Sequence, residues 1–238
     1  MSSVGVPGEW DSYATAYPQI DNEADMPPLL GAALGLVAGD KLLDVGCGEG
    51  SLLDLVASAF PGAWKTMGFE ISQVRGERAQ LRGHEVVVSE DGRVPLPDGV
   101  ANVVTSTHVV EHVPDDRAYV SELARLTHPG GAVYLETPLK LKGAWYFRRN
   151  PEAGWVLDPT HLREYRSTAE VVALVEEAGL EVLATDETRI SYPLGAAEQV
   201  ARRVLGWEQR TARPTGWRAA RINIPRYRQV AVLARKPS

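Results

Sequence analysis

Apolar residues along the chain follow two alternating patterns. Short apolar runs, typical of buried parallel strands, lie at 41–45, 66–70, 84–91, 103–106, 132–138, 181–187 and 228–236. Between these runs, apolar residues recur at helical spacing in the segments 28–37, 51–60, 72–83, 107–131, 167–180 and 196–206. Pro28 stands at the start of the first such segment, where a helix tolerates proline best. The pattern therefore predicts strands and helices in regular alternation.

This alternation indicates an α/β fold. Parallel strands that are joined through helices form a sheet covered on both faces, so we predict a doubly wound, mostly parallel, seven-stranded sheet. The last two strands are expected to form an antiparallel edge. We predict a single domain over residues 1–238, with an irregular loop at 139–166 and an insertion at 188–226 before the last strand.

A glycine-rich turn follows the first strand. Its glycines alternate with other residues and are Gly46, Gly48 and Gly50. Glycine lets the backbone approach a ligand closely, and the N–H groups at the start of the next helix point at that ligand. The spacing differs from the dinucleotide-binding G-x-G-x-x-G, because Ser51 stands where the third glycine is needed. Glu70, at the end of the second strand, is well placed to bind the two hydroxyls of a ribose.

The run DVGCG at 44–48, together with the acid at the end of the second strand, resembles the first motif of class I S-adenosylmethionine-dependent methyltransferases. The resemblance extends over residues 25–185 and the final strand, and includes the HPGG turn at 128–131. It implies S-adenosylmethionine as the cofactor and a segment at 1–28 that folds over it as a lid. The aromatic residues of that segment fit equally well a helix that merely covers a sheet edge.

The resemblance also implies which residues contact the cofactor. Glu70 is expected to accept hydrogen bonds from both ribose hydroxyls, and Glu90 or Asp91 to bond the adenine amino group. The predicted set is Tyr17, Asp44, Gly46, Cys47, Gly48, Glu70, Ile71, Glu90, Asp91 and Thr107. Cys47 is the single cysteine, so it cannot form an internal disulfide, and the resemblance gives it a packing role within the turn.

Histidines gather near the same end of the predicted sheet. His108, Glu111 and His112 follow the fourth strand with the spacing i, i+3, i+4, which would place them on one face of a helix. His161 lies in the loop after the fifth strand. This set resembles the E-x-x-E-H and distant histidine of metal-dependent, Hen-type small-RNA 2′-O-methyltransferases. It also resembles the E-x-x-E-H of ubiquinone-biosynthesis O-methyltransferases, with His108 in place of the first glutamate.

Three interpretations of this cluster stay open. In the first, His112 or His161 is a general base that removes a proton from an acceptor hydroxyl. In the second, a divalent metal (magnesium, manganese or zinc) lowers the pKa of that hydroxyl; imidazole ligands disfavour magnesium among the three. Its predicted ligands are His108, Glu111, His112 and His161. In the third, the histidines are ordinary loop residues in hydrogen bonds.

Composition narrows the class of protein. The chain is 44% hydrophobic with net charge −6, and it holds no apolar run of the length that crosses a membrane. Its first residues lack the layout of a signal peptide and its single cysteine forms no internal disulfide, so we expect a cytoplasmic protein. We expect no membrane partner, and either a monomer or a homodimer. Residues 199–238 carry ten Lys/Arg and one acidic residue. This basic tail suits phosphate, nucleic acid or an acidic partner, but we favour the simpler explanation that it reflects the general excess of arginine over lysine.

These features predict an S-adenosylmethionine-dependent O-methyltransferase that acts on a hydroxyl of a sugar, an oligosaccharide or a similar small polyol-like metabolite. A hydroxyl needs the base or metal that the histidine cluster offers, whereas an amine needs less help. The aromatic and basic side chains of 139–166 suit a sugar or a stacked base, and equally suit a small core under a long loop. The alternatives are an RNA methyltransferase, although we expect no nucleic acid partner, and a non-catalytic S-adenosylmethionine-binding regulator.

Overall fold

The described residues form six helices and nine strands. The computed structural model describes residues 7–16, 25–89, 93–144, 148–150, 154–156, 158, 160–193 and 221–238. The helices are α1 (Pro7–Ala16), α2 (Pro28–Leu36), α3 (Ser51–Ala59), α4 (Gln73–Leu81), α5 (Asp116–Leu126) and α6 (Thr168–Glu177). The strands are β1 (Lys41–Val45), β2 (Lys65–Glu70), β3 (Glu85–Val88), β4 (Ala101–Thr107), β5 (Thr127–Lys140), β6 (Arg148–Asn150), β7 (Gly154–Val156), β8 (Glu181–Pro193) and β9 (Arg221–Arg235).

Seven of these strands form one twisted sheet in the order β3-β2-β1-β4-β5-β9-β8. The first five strands of that order pair in parallel, and β9 pairs antiparallel with both β5 and β8. The predicted doubly wound, mostly parallel, seven-stranded sheet is therefore confirmed. The last two strands do pair antiparallel, but β9 lies inside the sheet and β8 forms its edge. The strand that runs antiparallel to all its neighbours, β9, is therefore internal.

Both faces of the sheet are covered by helices. The first core layer joins Leu42 and Val103 of the sheet to Leu30, Leu53 and Ala79 of α2, α3 and α4. The opposite layer is built from alternate strand positions and from α5 and α6; its members include Leu43, Val104, Val133, Leu123 and Leu174. Because β1 and β4 are buried on both faces, they carry apolar residues at successive positions, Leu42–Leu43 and Val103–Val104. The carboxyl ends of the parallel strands consequently meet at one edge, where a ligand can be bound.

The helices begin where the sequence supplies a cap. The side-chain oxygens of Ser72, Asp115 and Ser167 accept hydrogen bonds from backbone N–H groups in the first turns of α4, α5 and α6. Pro28 starts α2 at a position where no N–H is needed. None of the helices in the described part of the chain is long and apolar enough to cross a membrane.

Three predicted segments differ from expectation. Residues 108–115 form a turn and α5 begins only at Asp116, so the predicted helix does not include the histidines. The loop predicted as irregular at 139–166 contains an antiparallel hairpin, β6 paired with β7. Strands β8 and β9 extend into the predicted insertion from both sides, as far as Pro193 and from Arg221. The helix predicted at 196–206 lies outside the described residues.

Candidate active site

The glycine-rich turn leaves β1 with a backbone that requires glycine. Its three alternating glycines, Gly46, Gly48 and Gly50, have φ angles of 82°, 56° and 87°, in the left-handed region. The Gly46 N–H donates to the Phe69 carbonyl oxygen at 2.8 Å, which ties the turn to β2. A Cβ atom at Gly46 would lie 2.3 Å from Val109 Cγ2. The turn therefore packs directly against the segment that follows β4.

Glu70 connects this turn to the start of α4. One carboxylate oxygen accepts from the Gly48 N–H at 2.8 Å, and the other accepts from the Ile71 and Ser72 N–H groups at 2.9 Å each. The side chain is buried. The predicted contacts of Glu70 and Ile71 with a cofactor stay predictions, and the structure adds that Glu70 fixes the backbone on both sides of that position.

Asp44 lies beneath the turn, fully buried at the end of β1. Its Oδ1 accepts from the Thr105 hydroxyl at 2.8 Å. Burial raises the pKa of Asp44 to about 7; the Thr105 hydrogen bond opposes this shift and the charge of Glu70 adds to it. The carboxyl group therefore changes its charge near neutral pH.

The remaining predicted cofactor contacts are distributed as follows. Cys47 is buried, and burial raises the pKa of its thiol, so the side chain serves packing rather than nucleophilic chemistry. A Cβ atom at Gly68 would lie 2.5 Å from the Cys47 sulfur, which shows how closely β2 approaches it. Thr107 ends β4, half-buried and in register with Glu136 of β5. Tyr17, Glu90 and Asp91 lie outside the described residues, and their contacts stay predictions.

A tight turn, not a helix, carries the predicted histidine cluster. His108 has a φ angle of 56°, unusual for a residue with a side chain, and the His112 N–H donates to the Val109 carbonyl oxygen at 2.8 Å. The i, i+3, i+4 spacing is therefore not realised as a helical face. The turn nevertheless brings His108 and Glu111 together, because His108 Nδ1 lies 3.5 Å from Glu111 Oε1.

The loop after β7 places His161 beside this turn. The Leu162 N–H donates to the Glu111 carbonyl oxygen at 2.9 Å. Arg163 donates to three more carbonyl oxygens of the same turn, those of Val110, Val113 and Pro114, at 2.9, 2.5 and 2.7 Å. As a result the rings of His112 and His161 pack edge to face, with 4.8 Å between their centroids.

Glu111 is the buried acid at the centre of the cluster. Its Oε2 accepts from the Thr137 hydroxyl at 2.9 Å, whereas Oε1 is buried without a hydrogen-bond donor among the described residues. Burial favours the neutral acid, but His108, whose Nδ1 lies 3.5 Å from Oε1, favours the carboxylate and lowers the pKa of Glu111 to about 2. Glu111 is therefore a carboxylate, and one of its oxygens faces the two histidines.

His108 lies between two carboxylates, Glu111 and Glu136, each 3.5 Å from a ring nitrogen. Loss of solvent opposes protonation of the ring, yet both carboxylates favour it and raise the pKa of His108 to about 10. Glu136 itself accepts from the Tyr134 hydroxyl at 2.5 Å. His108 therefore pairs with two acids in this structure, and its predicted role as a metal ligand stays a prediction.

The other three residues that we predict as metal ligands do form a set. Glu111, His112 and His161 each offer one ligand atom, and these atoms all lie within 4.8 Å of one another. Two histidines with one glutamate make a known zinc-binding combination. Ligand bonds of about 2 Å require the atoms to be somewhat closer together, so the set fits a metal after a small movement. The buried, unbonded Oε1 of Glu111 is the atom that such an ion would satisfy.

The N-terminal helix α1 covers both halves of the site. On the cofactor side, Asp11 Oδ1 accepts from the Ser72 hydroxyl at 2.6 Å and from the Val74 N–H at 3.2 Å. On the histidine side, the rings of Trp10 and His112 pack edge to face, with 5.5 Å between their centroids. The Tyr13 hydroxyl donates to Asp158 at 2.9 Å. Aromatic residues at helical spacing were the sequence signal for this helix, but its contacts were not predictable from that spacing.

Several polar residues of the site were missed by the sequence interpretation. They are Glu136, Asp158, Thr160 and Glu164, which contact the predicted histidines from β5 and from the loop after β7. Of these, Asp158 and Thr160 stand close to His161 in the run DPTH, which was a usable signal. Glu136 lies far along the chain from its partner His108, and no local pattern identifies it.

Comparison with known proteins agrees with this arrangement. Residues 21–185 match the family model described as a methyltransferase domain. A probable S-adenosylmethionine-dependent methyltransferase of Mycolicibacterium smegmatis is 32% identical over 69% of this chain and 60% of its own length. A ubiquinone biosynthesis O-methyltransferase of Thiobacillus denitrificans is 34% identical over 61% of this chain and 66% of its own. The chain therefore spans less than two thirds of the length of these curated relatives.

Solved structures agree at the level of the fold. An S-adenosylmethionine-dependent methyltransferase from Methanosarcina mazei has a TM-score of 0.60 and 17% identity, over 90% of this chain and 99% of that one. The [4+2]-cyclase SpnF has a TM-score of 0.62 and 20% identity, over 88% of this chain and 78% of that one. The glycine-rich turn, the sheet order and the match over residues 21–185 agree with one another. They show that the chain belongs to the methyltransferase-domain family, the class I S-adenosylmethionine-dependent methyltransferases.

Proposed function

We propose that the chain is an S-adenosylmethionine-dependent O-methyltransferase. Its acceptor is a hydroxyl of a sugar, an oligosaccharide or a similar small polyol-like metabolite. The proposal rests on one observation: His112 stands on the turn that packs against the glycine-rich turn through Val109 and Gly46, and the ring of His161 packs against it from the loop after β7. A proton acceptor is thus held next to the expected cofactor site. Relatives named as ubiquinone and 27-O-demethylrifamycin SV methyltransferases support oxygen as the acceptor atom.

The glycine-rich turn and Glu70 supply the cofactor site. Bound there, S-adenosylmethionine supplies an activated methyl group on sulfur. Gly48 admits the ligand close to the backbone, Gly46 lets the turn pack against Val109, and Glu70 offers its carboxylate to a diol. Asp11 holds α1 over the start of α4, so this side of the site is covered.

The histidine pair supplies proton removal. A hydroxyl has a high pKa and is a poor nucleophile until a base takes its proton, and a positioned base contributes about 10²–10⁴ in rate. Burial, with the charge of His161, lowers the pKa of His112 although Glu111 favours its protonation, so His112 is neutral at pH 7 and able to accept a proton. The remaining requirement is alignment of acceptor oxygen, methyl carbon and sulfur.

A metal-assisted version of the same reaction is the second candidate. Glu111, His112 and His161 would hold the ion, and the unbonded Glu111 Oε1 favours this version. A divalent metal would polarise the acceptor hydroxyl and lower its pKa. In this version His108 lies outside the set of three close donor atoms and pairs with Glu111 and Glu136.

The test is methyl transfer from labelled S-adenosylmethionine to a panel of glycosides, phenols, tRNA and oligonucleotides. We expect transfer to a hydroxyl compound of the first group. His112→Ala and His161→Ala should each leave cofactor affinity nearly unchanged and reduce turnover by about 10²–10⁴. The exposed His128→Ala is the matched control and should be fully active.

The outcomes separate the candidates. A chelator inactivates only the metal version, and a divalent ion then restores turnover. Full activity in both alanine variants would contradict the assignment of the histidines. Cofactor binding without transfer to any compound would favour a non-catalytic regulator, and the fold alone leaves the reaction open because SpnF, a [4+2]-cyclase, shares it.

A further inference from the structure

Each histidine of the pair has one ring nitrogen facing an atom that can only accept a hydrogen bond. His112 Nδ1 lies 3.2 Å from the Thr160 carbonyl oxygen. His161 Nδ1 lies 3.1 Å from Glu164 Oε1. A carbonyl or carboxylate oxygen accepts a hydrogen bond, so we assign the donor role to both Nδ1 atoms. In a neutral imidazole this leaves the lone pair on Nε2.

The two histidines differ in what supplies the acceptor. For His112 it is a backbone carbonyl, helped by the Thr160 hydroxyl at 3.1 Å, which itself donates to Asp158 at 2.6 Å. No substitution removes a backbone carbonyl. For His161 it is the side chain of Glu164, and the pair is enclosed: each side chain is only 5% exposed. The tautomer of His161 therefore depends on one replaceable residue.

We propose that Glu164 is the positioning residue of His161: it accepts the Nδ1 proton, so that Nε2 keeps its lone pair and faces the acceptor. Glu164 would act on the reaction through His161, whose Nδ1 lies 3.1 Å from its Oε1. The same arrangement, a carboxylate behind a histidine, orients catalytic and metal-binding imidazoles in general. The catalytic consequence rests on the proposed function, whereas the tautomer does not.

A purely structural role for Glu164 makes a different prediction. A buried acid that only packs would, when replaced, lower stability without changing which ring nitrogen of His161 carries the proton. A positioning residue changes the tautomer and the turnover while cofactor affinity stays constant. The two roles are therefore separable by a spectroscopic readout that does not need a substrate.

The first arm of the experiment is a two-bond proton–nitrogen NMR spectrum of the full chain labelled with ¹⁵N-histidine, recorded with the rings neutral. The chain has five histidines, so a His161→Gln spectrum assigns the resonances. We expect wild-type His161 as the Nδ1–H tautomer. Glu164→Leu, which cannot accept, should shift it toward Nε2–H, and Glu164→Gln, which keeps an acceptor oxygen, should retain Nδ1–H. His112 should stay Nδ1–H in every variant.

The second arm is steady-state kinetics with the acceptor found in the panel. Glu164→Leu should lower turnover by about 10–100-fold, the usual effect of removing such a partner, with the affinity for S-adenosylmethionine unchanged. Glu164→Gln should recover most of that loss. Glu177→Leu, an exposed acid on α6, is the matched control and should change neither the tautomer nor the turnover.

The contrary outcomes are direct. An Nε2–H tautomer in the wild-type protein overturns the proposal without any variant, and so does a Glu164→Leu protein whose His161 remains Nδ1–H. If Glu164→Leu does not fold, the wild-type and Glu164→Gln spectra still decide. A changed tautomer with unchanged turnover overturns the positioning role in catalysis. A protein that transfers methyl to nothing contradicts the proposed function and leaves the tautomer result standing.

Discussion

Gly48 occupies the centre of the glycine-rich turn, buried, with a φ angle of 56° and its N–H bonded to Glu70. A branched side chain is strained at such an angle and would stand where the backbone meets the ligand. We therefore expect Gly48→Val to abolish S-adenosylmethionine binding, measured by calorimetry, in a protein that still folds. Gly62→Val is the control, because Gly62 also has a positive φ but open space around it. Unchanged affinity in folded Gly48→Val would refute the cofactor site.

Glu70 is bonded to three backbone N–H groups and is also predicted to hold the cofactor ribose. Its removal takes away the proposed ligand contact and loosens the turn. Glu70→Ala should weaken S-adenosylmethionine binding by about 2–4 kcal/mol, the range for a lost charged hydrogen-bonding partner. The wild-type protein should not bind NAD. If titration calorimetry finds the reverse preference, the turn serves a dinucleotide.

Asp44 makes stability depend on pH in a defined direction. Its pKa is raised by burial to about 7 in the folded protein, from 3.8 in the unfolded chain. The folded state therefore binds more protons between these values, and stability falls as pH rises from about 4 to 7. The full loss is about 4 kcal/mol. Asp44→Asn keeps an acceptor for Thr105 and should lack this decline, as urea unfolding without cofactor at both ends of the range would show. If the free energy of unfolding changed with pH in the same way in the wild-type and Asp44→Asn proteins, this role of Asp44 would be contradicted.

At the scale of elements, α1 is held by side chains at both ends of the site. Asp11 bonds the start of α4, and Tyr13 bonds Asp158 beside His161. The helix therefore links cofactor and acceptor regions, which extends the predicted lid at 1–28. Asp11→Ala should speed amide hydrogen exchange in α1 and raise KM for S-adenosylmethionine several-fold. Thr15→Ala removes only a bond within the helix and should change neither. Unaltered exchange in Asp11→Ala would count against the lid.

The turn at 108–114 shows where sequence interpretation succeeds and fails. Strands β1 and β4 were predictable because burial on both faces places apolar residues at successive positions, as at Leu42–Leu43 and Val103–Val104. The helical spacing of the histidines was misleading, since Pro114 and the N-cap Asp115 delay the helix to Asp116. Pro114 and Asp115 favour a helix start at Asp116, and this capping signal outweighs the helical spacing of the histidines. Local rules therefore gave the elements but not the shape of the turn.

No local sequence pattern identifies the acids that contact the histidines of the site. Glu136 contacts His108 from a neighbouring strand, and Glu164 faces His161 only because the loop after β7 folds back on the turn. Such contacts depend on the register of β4 with β5 and on the bonds of Arg163. They become visible only when the strands are placed side by side. The type of residue at the site was predictable, and the pairing between residues was not.

At the scale of the whole molecule, charge bears on the choice of acceptor. The chain carries −6 overall and its basic excess is confined to residues 199–238. The affinity of a protein that binds nucleic acid through several phosphates falls by a factor of about 10³–10⁵ between about 50 and 200 mM salt. We expect weak binding with no such dependence when a tRNA is titrated at several salt concentrations. An unrelated RNA of equal length is the control. Tight, salt-sensitive binding of the tRNA alone would favour RNA as the acceptor.

The position of β9 has a consequence for biosynthesis. The ribosome makes β9 after β8, yet β9 lies between β5 and β8 and joins them through antiparallel ladders on both sides. Until it is synthesised, β5 has an open edge and β8 has no neighbour in the sheet. The five parallel strands can pair while translation continues, but β8 can join the sheet only after β9 has been synthesised. A chain truncated before residue 221 would expose unpaired edges on β5 and β8, and we expect it to aggregate.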